Sequence, residues 1–214
     1  MTQGRPVRAE GRPMSAEGRY VLPSFVERTS YGIKEMNPYN KLFEDRIIFL
    51  GTPVDDTAAN DVTAQMLALE GIDPDRPISL YINSPGGSLT SMLAVHDTMQ
   101  YIRPEIETTC VGQASSAAAI LLAAGTPGRR AALVNSRILL QQPATDVQRG
   151  QSSDLEIQAR EIIRMRERME QILAEATGRD LAEVAADIDR DRFFTAAEAL
   201  EYGLIDDVLS SRKR

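Results

Sequence analysis

A chain of 214 residues with 43% apolar and 26% charged residues can fill one domain with its own hydrophobic core. Its formal charge of −7 opposes binding to phosphate backbones, because nucleic-acid affinity rests on Lys and Arg displacing counterions, so no nucleic-acid partner is expected. The longest apolar runs, such as Ala117 to Ala124, fall well short of the ~20 residues a membrane helix needs, so no membrane crossing is expected.

Residues 1–19 mix Arg, Glu, Gly and Pro without periodicity and read as a flexible leader or propeptide. They lack the apolar stretch of a secretory signal, which places the protein in the cytoplasm. A single domain is expected over 20–214. Ile47 to Leu50 is a continuous apolar run ended by Gly51, as expected of a strand covered on both faces. Asp55, Asp56 and Thr57 then supply cap-type residues for a helix with Ala59, Val62, Met66 and Leu69 on one face. The unit repeats: Ile78 to Ile82 predicts a strand, Asn83 to Gly87 a turn, and Leu89, Met92, Val95 and Met99 a second helix. A third strand, Glu107 to Val111, runs into Gly112 and an apolar helix over Ser116 to Ala124. Cys110 is the only cysteine; it cannot form an internal disulfide and reads as a small buried filler. Repeated βαβ units of this kind imply an α/β fold with a mainly parallel sheet wrapped by helices. From Asp154 to Thr177 a long charged helix carries an apolar stripe at Leu155, Ala159, Ile162, Met169, Ile172 and Ala176, closed by Gly178. It exceeds what one small sheet needs for cover, and subunit contact is its expected use.

Two segments could combine for acyl transfer: the Gly86-Gly87 turn, and Gly112-Gln113-Ala114-Ser115-Ser116-Ala117 at a strand-to-helix junction. A helix start offers unpaired N–H groups and a positive dipole end, which suits a nucleophile and the charge that develops beside it. Taken alone, a serine there is more simply a helix N-cap, and Pro-Gly-Gly simply a turn.

Several longer segments occur together in one order: YNKLFEDRIIFLG (39–51), YINSPGG (81–87), HDTMQYIRP (96–104), GQASSAAA (112–119), NSRILLQQP (135–143), SDLEIQAREI (153–162) and DRDRFFTAAEALEYGLID (189–206). In this the chain resembles the proteolytic subunit of the Clp protease, of actinobacterial type. The resemblance implies the Clp protease and crotonase-like fold of repeated βαβ units with a long handle helix, the handle region covering about 141–177. It implies Ser116 as nucleophile, Asp191 as the acid that orients the base, and an oxyanion hole formed by the N–H groups of Gly87 and Ala117. No cofactor and no metal are expected.

The departure is at position 141, where the family has a histidine immediately before Gln-Pro and this chain reads Leu140-Gln141-Gln142-Pro143. A primary amide takes no proton at any useful pH, so Gln141 could position Ser116 but not activate it. Removing the base from an unrelated serine protease costs up to about 10⁶ in turnover, or about 8 kcal/mol of barrier. The only histidine, His96, falls on the apolar stripe of the second helix and reads as structural; Lys34 and Lys41 give no sign of a Ser-Lys pair. Asp191 in DIDRDR also has a plain reading as solvated surface, which the family match outweighs. Residues 144–152 occupy the family's handle loop and are expected to switch between ordered and loose states.

The resemblance further implies stacked heptameric rings of self or paralogous subunits, an AAA+ unfoldase, and unfolded polypeptide as substrate. Unfoldase docking would use apolar clefts at the ring rim, here Tyr81, Val111, Leu133 and Leu209, with Ser79, Thr109 and Ala131 where larger apolar groups are common. The expected function is a catalytically impaired structural or regulatory subunit. An active serine endopeptidase with its base supplied by His96 or a neighbouring subunit, and a crotonase-type acyl-CoA enzyme, are the alternatives.

Overall fold

The computed structural model describes residues 24–29, 32–142 and 152–211. The expected leader and residues 144–151 of the handle loop lie outside them. The chain forms two compact units, one ending at Lys41 and one from Leu42 onward. In the first, β1 (Phe25–Thr29) and β2 (Gly32–Met36) form an antiparallel hairpin that the sequence reading did not foresee. Helix α1 (Pro38–Glu44) follows.

The second unit is built on a seven-stranded sheet. After β3 (Ile47–Leu50), α2 (Asp56–Ile72) starts at Asp55, whose carboxylate accepts from the Ala58 N–H at 2.8 Å, and it buries Ala59, Val62, Met66 and Leu69. Strand β4 (Ile78–Ser84) buries Ile78, Leu80 and Ile82 completely and leads through the glycine turn to α3 (Leu89–Tyr101). Strand β5 (Ile106–Ser115) is twice the expected length. It passes through Gly112, at φ 93°, where a side chain would meet the Asn83 carboxamide at 2.9 Å. This bend changes its partner: Thr108 to Cys110 pair with β6 (Arg130–Leu133), whereas Gln113 to Ser115 pair with β7 (Arg137–Leu140). The sheet therefore forks, and glycine sets the fork instead of ending the strand.

Helix α4 (Ala117–Ala123) follows directly, with all its residues buried. Helices α5 (Ser152–Thr177) and α6 (Leu181–Asp187), strand β8 (Arg192–Thr195), α7 (Ala196–Tyr202) and β9 (Asp207–Leu209) complete the chain. Strand β8 is antiparallel to β7, while every other pairing in this sheet is parallel. No helix among the described residues is long and apolar enough to cross a membrane.

Three features correct or extend the sequence reading. First, β3 is not covered on both faces: Ile48 and Leu50 are buried, but Ile47 and Phe49 are only half-buried and line an open cleft. Second, the apolar stripe of α5 divides. Met169, Ile172 and Leu173 enter the core, whereas Ala159, Ile157 and Ile163, nearer its start, are exposed. Third, two buried arginines brace the unit. Arg46 donates to the carbonyls of Leu69, Asp73, Arg76 and Pro77 at 2.9–3.0 Å, joining the start of β3 to the end of α2. Arg130 forks onto Asp206 at 2.7 and 2.9 Å and also donates to the carbonyls of Ala123 and Ala176, tying the ends of α4 and α5 to β6. These hydrogen bonds hold the Asp206 carboxyl below the usual carboxylate range. Cys110 is a buried free thiol, which burial pushes up to about 11.

Candidate active site

Ser116 lies between β5 and α4 at φ 51°, ψ −118°. Residues with side chains rarely occupy that region, and holding one there costs about 1–3 kcal/mol. The neighbourhood imposes it: the Ser116 N–H donates to the Leu139 carbonyl at 2.8 Å, while its own carbonyl accepts from Ala119 and Ile120 at 3.0 and 3.2 Å. The main chain is thus fixed by β7 on one side and by α4 on the other. The hydroxyl caps nothing in α4, although Ser116 occupies the N-cap position, and it makes no hydrogen bond among the described residues. A strained serine on a sharp strand-to-helix turn, with its hydroxyl free, is the arrangement a nucleophile uses.

The glycine turn lies against this elbow. A side chain on Gly86 would come within 2.3 Å of the Ser115 carbonyl and 3.0 Å of Ser116 Cβ. The turn is held by the Val54 N–H on the Gly86 carbonyl at 3.0 Å and by the Ser88 N–H on the Val54 carbonyl at 2.8 Å. Among the described residues nothing takes up the N–H groups of Gly87 or Ala117. Both N–H groups are thus unused, that of Ala117 next to the serine in the chain and that of Gly87 next to Gly86, which packs against it.

Gln141, the residue expected at the base position, follows β7. Gln141 is half-buried, and its amide bonds to neither Ser116 nor Asp191. Asp191 precedes β8 and is exposed. The last rung between these strands pairs Leu140 with Arg192, so the antiparallel register sets positions 141 and 191 opposite each other. The topology thus brings Ser116, Gln141 and Asp191 to the ends of three adjacent strands. The sequence reading missed the support beyond Asp191: Arg192 pairs with Asp187 and lies 5.0 Å from the rings of both Phe194 and Tyr202. Only the pairing of basic and aromatic residues in DRDRFF hinted at it.

His96 is elsewhere. It is buried on α3, with Nδ1 3.0 Å from the Asp97 carboxylate. It lines a cavity of about 250 Å³ with Ala123 and Ala124 at the C-terminal end of α4, whereas Ser116 precedes the first turn of that helix. About 10 Å of helix separates the two ends. Lys34 is on β2 and Lys41 on α1. No group of three or more His, Cys, Asp or Glu among the described residues is placed to hold a metal ion.

On the outer face of the sheet, Tyr81, Val111, Leu133 and Leu209 line a single cleft of about 550 Å³ with Leu42, Ile47, Phe49 and Thr109. Register explains the grouping: Phe49 pairs with Tyr81 and Tyr81 with Thr109 in one row across the parallel strands, and Leu133 pairs with Leu209 in a second row two residues further along. Of the smaller residues expected at this rim, Thr109 lines the cleft, while the Ser79 hydroxyl is tied to Glu107 at 3.0 Å.

Residues 30–212 match the Clp protease family. The chain is 65% identical over 195 residues to ATP-dependent Clp protease proteolytic subunit 1 of Thermobifida fusca, a match covering 91% of this chain and 88% of that one. It is 66% identical to subunit 1 of Rhodococcus jostii, over 91% and 89% of the two chains, and 62% identical to subunit 2 of Mycobacterium bovis, over 91% and 92%. With relatives this similar along nearly their whole length, the chain belongs to the Clp protease family of proteolytic subunits.

Proposed function

We propose that this subunit does not activate its own serine and acts as a structural or regulatory member of stacked heptameric rings shared with active paralogues in the cytoplasm. One observation carries the reading: at the end of β7, where the family places its base, stands an amide that makes no bond to the Ser116 hydroxyl. Without a proton acceptor the hydroxyl stays a weak nucleophile, however well the oxyanion donors of Gly87 and Ala117 are arranged. Asp191 is then an orienting acid with nothing to orient.

The exposed start of α5, with Ile157 and Ile163 at 65% and 56% exposure, supports packing of ring on ring through the handle. The cleft around Tyr81, Val111, Leu133 and Leu209 supports docking of an AAA+ unfoldase that delivers unfolded polypeptide. Thr109 lowers its apolar area, and each Å² lost removes about 25 cal/mol of burial.

The test is a fluorophosphonate label on Ser116 together with turnover of a short fluorogenic peptide. The unmodified chain should do neither at a measurable rate, whereas Gln141→His should gain both. Rapid labelling and turnover by the unmodified chain would show that a base reaches Ser116 from another source and would overturn the reading.

A further inference from the structure

Beyond the last β7–β8 rung, Leu140 with Arg192, the next opposed positions are 141 and 191. Past them, the Gln142 side-chain amide donates to the Asp189 main-chain carbonyl at 3.0 Å and to its carboxylate at 2.7 Å, across 47 residues of sequence. The pair of site positions is therefore bracketed, by a sheet rung on one side and by this double contact on the other. Arg192 is anchored on the rung side by Asp187 and two aromatic rings. Asp191 itself has no ion pair among the described residues; the clasped Asp189 and the anchored Arg192 flank it in the chain.

We propose that Gln142 is a positioning residue: its amide clasps the Asp189–Asp191 segment to the end of β7 and so holds whatever side chain stands at 141 opposite the Asp191 carboxylate. The inference rests on the assignment of positions 116, 141 and 191 made above. A glutamine suits the task because one NH₂ group can meet a main-chain and a side-chain acceptor together without adding charge beside Asp191. A residue that merely tacked down a surface loop would affect stability but not the chemistry of the imidazole introduced at 141.

The experiment uses the full chain with Gln141→His, labelled with ¹³C at histidine, in which only the new imidazole and His96 titrate as histidines. The charged residues of β8 and its approach are Asp187, Asp189, Arg190, Asp191 and Arg192, while α4 and the end of β5 carry none. With the clasp intact, Asp191 should raise the titration midpoint of the new imidazole. Adding Gln142→Ala should abolish that upward shift, leave His96 unmoved, and lower kcat about a hundredfold with little change in KM, as expected for about 1 Å of misplacement. Asp189→Asn, which keeps both acceptors, should retain the raised midpoint. Unchanged titration of the imidazole in the Gln142→Ala chain would overturn the inference. If the unmodified chain is rapidly labelled and turns over peptide, the proposed function fails, yet the titration still decides whether the clasp acts.

Discussion

The two halves of the candidate site are made of different material. On the α4 side the proposed working parts are main chain: a serine held at φ 51° and the N–H groups of Gly87 and Ala117, which nothing among the described residues takes up. On the β7 side the proposed working part is a single side chain, the one at 141. Main-chain parts persist as long as the fold does, because moving them would disrupt the sheet. A proton acceptor can vanish through one substitution without altering a single rung. The fold of such a protein therefore says little about whether it turns over substrate, and the side-chain half carries the answer.

The largest expected effect tests that division directly. If the main-chain half is intact, Gln141→His should raise peptide hydrolysis by at least about 10³-fold, part of the up to 10⁶ that a base contributes; steady-state kinetics on a fluorogenic peptide would reveal it. No gain would mean that both halves have decayed. Next comes the frame beneath them. Asp206→Asn should cost about 3 kcal/mol in urea unfolding at neutral pH, because it leaves buried Arg130 with a weaker partner. The Asp206 pKa is depressed in the fold, so its stabilisation is present above the ordinary carboxylate pKa of about 3.9 and is lost as pH falls through the lower folded value. The gap between the two proteins should therefore narrow below about pH 4.

The main-chain half has its own test. Gly86→Ala would place a methyl 2.3 Å from the Ser115 carbonyl at φ 88°, and it should destabilise by about 2 kcal/mol. In the Gln141→His background it should also suppress fluorophosphonate labelling of Ser116. The smallest effect concerns strain. Ser116→Gly should raise stability by about 1 kcal/mol, or about 2–4 °C in Tm, whereas Ser116→Ala keeps the strained backbone and should gain nothing. Equal melting temperatures for the two variants would show that the elbow stores no strain.

Much of this was legible in the sequence. Period and a cap marked α2, which Asp55 caps, and period alone marked α3, whose cap Ser88 went unnoticed. The motif order pointed to Ser116, which the structure sets on a strained turn, and to four residues that line one cleft. What escaped notice depended on pairing between distant segments. Gly112 read as a stop because a left-handed glycine commonly ends a strand, and only the presence of two partners, β6 and β7, turns it into a fork. Ile47 to Leu50 read as doubly buried because hydrophobicity alone cannot distinguish a covered face from one that lines a cleft. The Arg46 and Arg130 braces lay hidden among ordinary surface charges.

The fork at Gly112 makes β5 a shared beam. Val111, on the wall of the cleft, and Ser115, beside Ser116, lie on one strand about 13 Å apart at 3.3 Å per residue. A substitution that only trims a side chain in the cleft leaves the hydroxyl in place, whereas one that slides β5 along its axis shifts both by the same amount. Anyone reshaping this outer groove must therefore keep the register of β5, or the serine will move with it.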